Sequence, residues 1–297
     1  MATLASPPSE SQILRLARRY RPVERVTAEF TGGANHLAYC LDDAFVLKVT
    51  RPGQDATPLR NEVVLLQALD ELTTIPRPQL LGHELGEDLP HALLTLATGT
   101  PLLDLADSWP HRKPAMSSLA TALRTLHSVD ASAVDLRPVY DASRYLARLT
   151  AGALDRLRAE RHLSEGQLKH VERRCQAVLR FLSGAAGAVI HADVRPPHLF
   201  FDSLTGSLTS VIDFADVLLG TPELEFVFMW QRWWDGRDDV QALFDAYFGS
   251  PDSPALRIAS EDLRLIGAMC RAGHPVPERG AAAMAEVLAT AGGATGQ

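Results

Sequence analysis

Residues 188–216, AVIHADVRPPHLFFDSLTGSLTSVIDFAD, contain two short apolar runs, and each ends in an acid. Ala188-Val189-Ile190 leads into His191-Ala192-Asp193, and Val211-Ile212 leads into Asp213. Between them, Leu199-Phe200-Phe201 followed by Asp202-Ser203-Leu204-Thr205-Gly206 reads as a strand and a hairpin turn. A fold containing this stretch must end two neighbouring strands on carboxylates, with His198 between them in sequence. The pattern predicts a compact site for a divalent cation and an acceptor hydroxyl.

Upstream, Val26–Phe30 reads as a strand, broken by Thr31-Gly32-Gly33-Ala34-Asn35. A second strand follows from His36 to Leu41. Asp42-Asp43 turn the chain into a third, residues 44–49, which carries Lys48. Glycine in such a turn permits close backbone approach, and a strand lysine places one fixed positive charge. Each feature also has a plain reading, as an ordinary hairpin turn and as a lysine reaching water. The next helix, within residues 57–72, takes Thr57 as its cap and Pro58 in its first turn, and it carries Glu62 early. Glu62 either orients Lys48 or is a solvated acid near a helix N-terminus.

Taken in chain order, these parts resemble the aminoglycoside phosphotransferase-like kinases, a small-molecule branch of the protein-kinase fold. Kinases use an HxDxxxxN loop and a later Asp-Phe-Gly. Here the loop reads His191, Asp193 and then His198 where Asn is usual, followed by Asp213-Phe214-Ala215. The resemblance implies an α+β, bilobal protein-kinase-like fold. A small antiparallel-sheet lobe over residues 1–98 would bind nucleotide. The hinge would lie near 95–101, and a larger helical lobe over 99–297 would hold the catalytic loop, metal loop and acceptor pocket.

The same resemblance assigns roles. Gly32 and Gly33 would close over the phosphates of ATP or GTP, and Lys48, held by Glu62, would orient them. The backbone near Thr95 and Ala97 would meet the base. Asp193 would take the proton of the acceptor hydroxyl, while His198 and Asp213 would hold Mg²⁺. Imidazole suits softer ions than magnesium, so Mn²⁺ is the alternative metal. Glu225 stands where the family braces the catalytic loop's backbone. Apart from the resemblance, the position of Arg195, two residues beyond Asp193, lets it reach the transferring phosphoryl group; an exposed loop arginine is the equal alternative.

Beyond the hinge the spacing predicts helices over residues 116–129, 141–158 and 165–182. His127 reads as a buried, hydrogen-bonded helix residue. Phe226, Phe228, Met229, Trp230, Trp233 and Trp234 read as core, and Asp235, Asp238 and Asp239 as a solvated helix start. A short helix is expected over residues 11–20, capped by Ser11.

At 297 residues with 46% hydrophobic and 22% charged composition, the chain can bury a sizeable core. A net charge of −7 argues against non-specific nucleic-acid binding and suits a cationic ligand. Cys40, Cys175 and Cys270 are too scattered for a disulfide framework or zinc knuckle. No signal-peptide pattern or membrane-length apolar window is present, so a cytoplasmic protein, monomer or homodimer, is expected.

The function that follows is transfer of a γ-phosphate from ATP or GTP to a hydroxyl of a small molecule. An antibiotic such as an aminoglycoside is the first expectation, with antibiotic inactivation or self-resistance as the consequence. Macrolides, peptide antibiotics and choline- or homoserine-like metabolites are alternative acceptors. Two other classes stay open, a nucleotide-binding pseudokinase and a metal-dependent hydrolase built on His191, Asp193, His198 and Asp213.

Overall fold

The computed structural model describes residues 7–31, 35–72, 74–86, 88–160, 163–184, 187–233, 237–249, 260–273, 283, 287 and 288. Gly32, Gly33, Trp234, Asp235 and the tail after Gly292 lie outside the described residues. The chain divides into two compact units, each drawn from three segments. The first comprises residues 1–115, 129–139 and 196–218; the second comprises 116–128, 140–195 and 219–297.

The first unit is built on a five-stranded antiparallel sheet of β1 (Val26–Phe30), β2 (His36–Leu41), β3 (Phe45–Thr50), β4 (Leu80–Glu84) and β5 (His91–Thr95), in the order β1-β2-β3-β5-β4. Alternation sorts its two faces. Leu37, Tyr39 and Leu41 on β2 join Leu47 and Val49 on β3 and Leu93 on β5 in one buried cluster. Helix α1 (Glu10–Ala17) seals that cluster with Ile13, Leu16 and Ala17. Its cap is Ser9, not the expected Ser11. Ser9 and Gln12 form a reciprocal capping box that satisfies two terminal N–H groups, which a cap at position 11 would leave open.

Residues of the opposite face include Ala38 and Lys48, directly paired between β2 and β3. Helix α2 (Thr57–Leu72) packs on β4, β5 and the turn at 214–216. Thr57 is its first helical residue rather than its cap, and the Asp55 carboxylate accepts both the Thr57 N–H and its hydroxyl at 2.9 Å. The N–H of Val211 donates to the Pro76 carbonyl at 2.9 Å. That contact ties the 196–218 segment to the linker leaving α2. In chain order β6 (Thr100–Pro101), β8 (Leu199–Phe201) and β9 (Leu208–Val211) form a small antiparallel sheet of this unit, whereas β7 (Ala188–Ile190) belongs to the second unit. The hairpin turn between β8 and β9 depends on Gly206, whose φ of +76° any side chain would strain.

The second unit is helical. Its elements are most of α3 (Arg112–His127), α4 (Ala142–Glu160), α5 (Glu165–Gly184), α6 (Pro222–Arg232), α7 (Arg237–Phe248) and α8 (Ser260–Ala272). Helix α8 was not expected from the sequence. Its core is aromatic: the Phe226 and Phe244 rings meet edge-on at 5.1 Å, and Phe244 and Phe248 lie 4.7 Å apart. Trp230 and Trp233 are buried with them, as the sequence suggested. Gly267 lets α8 approach α6, since a β-carbon there would stand 2.6 Å from the Cβ of Trp230. Among the described residues no helix is long and apolar enough to cross a membrane.

Candidate active site

Lys48 leaves the middle of β3 on the face opposite the α1 cluster. Its Nζ donates to both Glu62 carboxylate oxygens, at 2.7 and 2.8 Å, and to Asp213 Oδ1 at 3.0 Å. Glu62 sits in the second turn of α2 and is almost fully buried. It also accepts the Phe214 N–H at 3.3 Å, so one carboxylate holds the lysine and the backbone just past Asp213. Asp213 itself lies two residues past the end of β9 in a left-handed conformation, φ +66°. That bend turns its side chain back toward Lys48, at a backbone cost only an over-determined local structure tolerates.

Burial works against charge on all three groups. For Lys48 it would lower the pKa, but Asp213 and Glu62 outweigh it and hold the ammonium above its ordinary range. For Asp213 burial would raise the pKa, but Lys48 and then His198 hold the carboxyl well below the usual range. Burial pushes Glu62 upward against the pull of Lys48. The result is a buried ammonium fixed between two acids, one of which keeps its second oxygen turned to His198.

His198 closes the short turn Pro196–His198, and its carbonyl accepts the Ile212 N–H at 3.0 Å. Its Nε2 lies 3.6 Å from Asp213 Oδ2. That gap is beyond a hydrogen bond and short enough for both atoms to reach one ion. Thr95 ends β5, with its N–H committed to the Gln79 carbonyl at 3.0 Å. Ala97 follows in the linker, and the next residue, Thr98, is bonded to β9 through Ser210 Oγ and Thr209 Oγ1.

In the second unit the loop after β7 carries Asp193. Ala192 before it has φ +62°, a conformation glycine adopts freely and alanine does not. Four hydrogen bonds hold this strained turn. Glu225, fully buried near the start of α6, accepts the His191 N–H at 2.6 Å and the Ala192 N–H at 2.9 Å. Arg232, at the end of the same helix, donates to the Ala192 carbonyl at 2.7 Å. The Asp193 N–H donates to His191 Nδ1 at 3.2 Å. His127 is buried, with Tyr247 Oη 2.8 Å from Nδ1 and Glu225 Oε2 3.5 Å from Nε2. It therefore buttresses Glu225.

The Asp193 carboxylate meets two guanidinium groups. Arg232 Nη1 lies 2.5 Å from Oδ1, and Arg195 Nε lies 3.2 Å from Oδ2. The structure thus gathers Lys48, Glu62, His198 and Asp213 in the first unit and Asp193 and Arg195 in the second. Two residues escaped the sequence reading. Arg232 left one trace, a lone cation in the apolar run FVFMWQRWW. His36, buried on the Lys48 face of β2, left none beyond its alternation with Ala38.

The family profile described as the phosphotransferase enzyme family matches residues 26–258. The chain belongs to that family. The phosphotransferase has no significant match among curated proteins. Its fold is similar to solved structures at low identity. The GDP and kanamycin complex of APH(2")-IIIa is 17% identical with a TM-score of 0.67, over 96% of this chain and 98% of that one. The streptomycin-ATP-APH(2")-IIa ternary complex is 14% identical, TM-score 0.62, over 96% and 97%. An aminoglycoside phosphotransferase from Ralstonia eutropha, described there as putative, is 15% identical, TM-score 0.59, over 93% and 94%. The expected α+β, kinase-like class is therefore correct, and the phosphotransferase is a small-molecule O-phosphotransferase.

Proposed function

We propose that this phosphotransferase moves the γ-phosphate of ATP or GTP to a hydroxyl of a small antibiotic, an aminoglycoside first among the candidates. The observation that carries the reading is the Lys48–Glu62–Asp213 arrangement. A lysine on a strand, fixed at 2.7 Å by a helix carboxylate, offers one oriented charge to a phosphate tail. Phosphoryl transfer asks the protein chiefly for positioning and charge neutralisation.

In this reading Lys48 binds and orients the nucleotide's phosphates. Asp193 accepts a hydrogen bond from the acceptor hydroxyl and takes its proton, held in orientation by Arg232. Arg195, 42% exposed at its side chain, neutralises charge on the transferring group. A base contact from Thr95 falls to its carbonyl, since its N–H is already bonded. The donor pair of His198 and Asp213 fits a divalent cation, because the carboxylate stays ionised and one oxygen faces the imidazole. Such an ion, Mg²⁺ or Mn²⁺, supplies electrostatic stabilisation of the phosphate oxygens when bound.

Solved relatives described as complexes with ATP, GDP, kanamycin, streptomycin and gentamicin support a nucleotide donor and a hydroxylated, cationic acceptor. The net charge of −7 agrees with a cationic partner. The test is a phosphate-transfer screen with ATP and GTP over aminoglycosides, macrolides and peptide antibiotics, reading product mass. One phosphorylated product is expected, and Asp193→Asn should lose about 10²- to 10⁴-fold in turnover while still binding nucleotide. Nucleotide binding without transfer to any member of the panel would leave a binding module instead.

A further inference from the structure

His36 opens β2, directly opposite Thr50 on β3, and the next same-face pair is Ala38 opposite Lys48. Directly paired antiparallel residues project to one side, so His36, Thr50 and Lys48 share a face. Both residues are buried, His36 at 7% exposure and Thr50 at 3%. Among the described residues, His36 Nε2 and Thr50 Oγ1 nonetheless have no hydrogen-bond partner. Two facing polar atoms left unsatisfied in a buried position are rare, and such pairs mark a place where something else completes the bonding.

We propose that His36 and Thr50 form a second phosphate-binding element of this phosphotransferase, His36 Nε2–H and the Thr50 hydroxyl donating to oxygens of the nucleotide's phosphate tail. The inference rests on the nucleotide-binding reading of Lys48. Both side chains lie on the Lys48 face, one same-face pair along the β2–β3 ladder from Lys48. Burial first, then Lys48, keep the ring neutral, which leaves it a donor without adding a charge that would repel Lys48. A neutral imidazole and a hydroxyl suit oxygens whose charge Lys48 already answers, and they add direction where the lysine adds charge.

The test is calorimetric binding of ADP, GDP, adenosine and guanosine to the full chain, in EDTA and again with Mg²⁺. His36→Phe conserves ring bulk and removes the donor. It should weaken the bound diphosphate about tenfold, or 1.4 kcal/mol, in both conditions, and leave the nucleoside's affinity unchanged. His36→Gln keeps a donor and should recover most of the loss; Thr50→Val should weaken the diphosphate in the same direction. Equal diphosphate affinity in wild type and His36→Phe would overturn the proposal, as would parallel loss of nucleoside and diphosphate, which marks a purely structural role. Failure of the wild type to bind either diphosphate would overturn the nucleotide reading itself.

Discussion

Arg232 Nη1 donates at once to the Ala192 carbonyl, at 2.7 Å, and to Asp193 Oδ1, at 2.5 Å. One guanidinium therefore fixes both a strained peptide and the carboxylate that follows it. The arginine lies over the Phe228 ring, 5.3 Å from its centre, which limits its own freedom.

Arg232→Met should lower kcat about 10- to 100-fold and leave the nucleotide KM near its wild-type value, because hydrogen bonds to charged groups contribute about 1.5–3 kcal/mol. Arg232→Lys keeps the charge but not the fork and should recover only part. Steady-state kinetics with both substrates varied separates the two parameters. A variant with raised KM and unchanged kcat would remove Arg232 from the positioning of Asp193.

Ala192→Gly should stabilise the fold modestly. Alanine at φ +62° costs roughly 1–2 kcal/mol, and glycine's greater unfolded entropy returns about 0.4–1 kcal/mol of that gain. A net increase of about 0.5–1 kcal/mol is expected in urea denaturation. A loss of stability would mean that the Ala192 methyl, buried in the loop, packs better than the turn is strained.

Much of this was readable from residue order, and the reasons differ between elements. The strand position of Lys48, and that of Asp213 just beyond a strand, follow from short apolar runs, whose alternation has period two whatever surrounds it. The α1 cap was misread by two residues, Ser11 for Ser9, and Thr57 was taken for a cap where Asp55 accepts its N–H, since Ser, Thr and Asp near a helix start compete on local geometry that spacing does not resolve. Arg232 left only its lone charge in an apolar run, because its partners lie some forty residues earlier in the chain, at Ala192 and Asp193. His36 was read as a strand residue because unsatisfied burial exists only in three dimensions.

Glu62→Gln should destabilise the first unit and weaken nucleotide binding together. The substitution leaves a buried lysine with Asp213 as its remaining acid, and breaking a buried pair costs about 3–5 kcal/mol when no other partner is present. Asp213 at 3.0 Å retains part of that, so a loss of about 2 kcal/mol is expected. Thermal denaturation with and without ADP reads both effects. Unchanged stability with normal ADP protection would show that Lys48 needs only Asp213.

His36 predicts a pH dependence of stability. Burial, then Lys48, lower its pKa from 6.5 to about 4, with Asp213 opposing and Arg51 adding to the fall. The unfolded imidazole takes up a proton below about pH 6.5 while the folded one stays neutral until about pH 4, so the unfolded state binds more protons in that window. Stability contributed by the neutral ring is full above pH 6.5 and is lost as pH falls. Between pH 7.5 and 5 the loss should be about 2 kcal/mol, and His36→Phe should lack it. Urea denaturation at the two pH values, compared between wild type and variant, gives the difference directly; equal losses would place the folded His36 pKa near its ordinary value.

His198 stands where an asparagine oxygen is usual in the kinases this chain resembles, and its Nε2 lies 3.6 Å from Asp213 Oδ2. Magnesium favours oxygen donors and gives up water reluctantly, whereas manganese accepts imidazole more readily. A nitrogen donor beside an ionised carboxylate should therefore favour Mn²⁺ relative to an all-oxygen pair. His198→Asn is expected to retain transfer and to shift the ratio of Mn²⁺- to Mg²⁺-supported turnover toward Mg²⁺ by several-fold. The assay is initial rate against each metal at saturating nucleotide. A ratio unchanged by the substitution would take His198 out of the metal's coordination and leave Asp213 alone of the proposed donor pair.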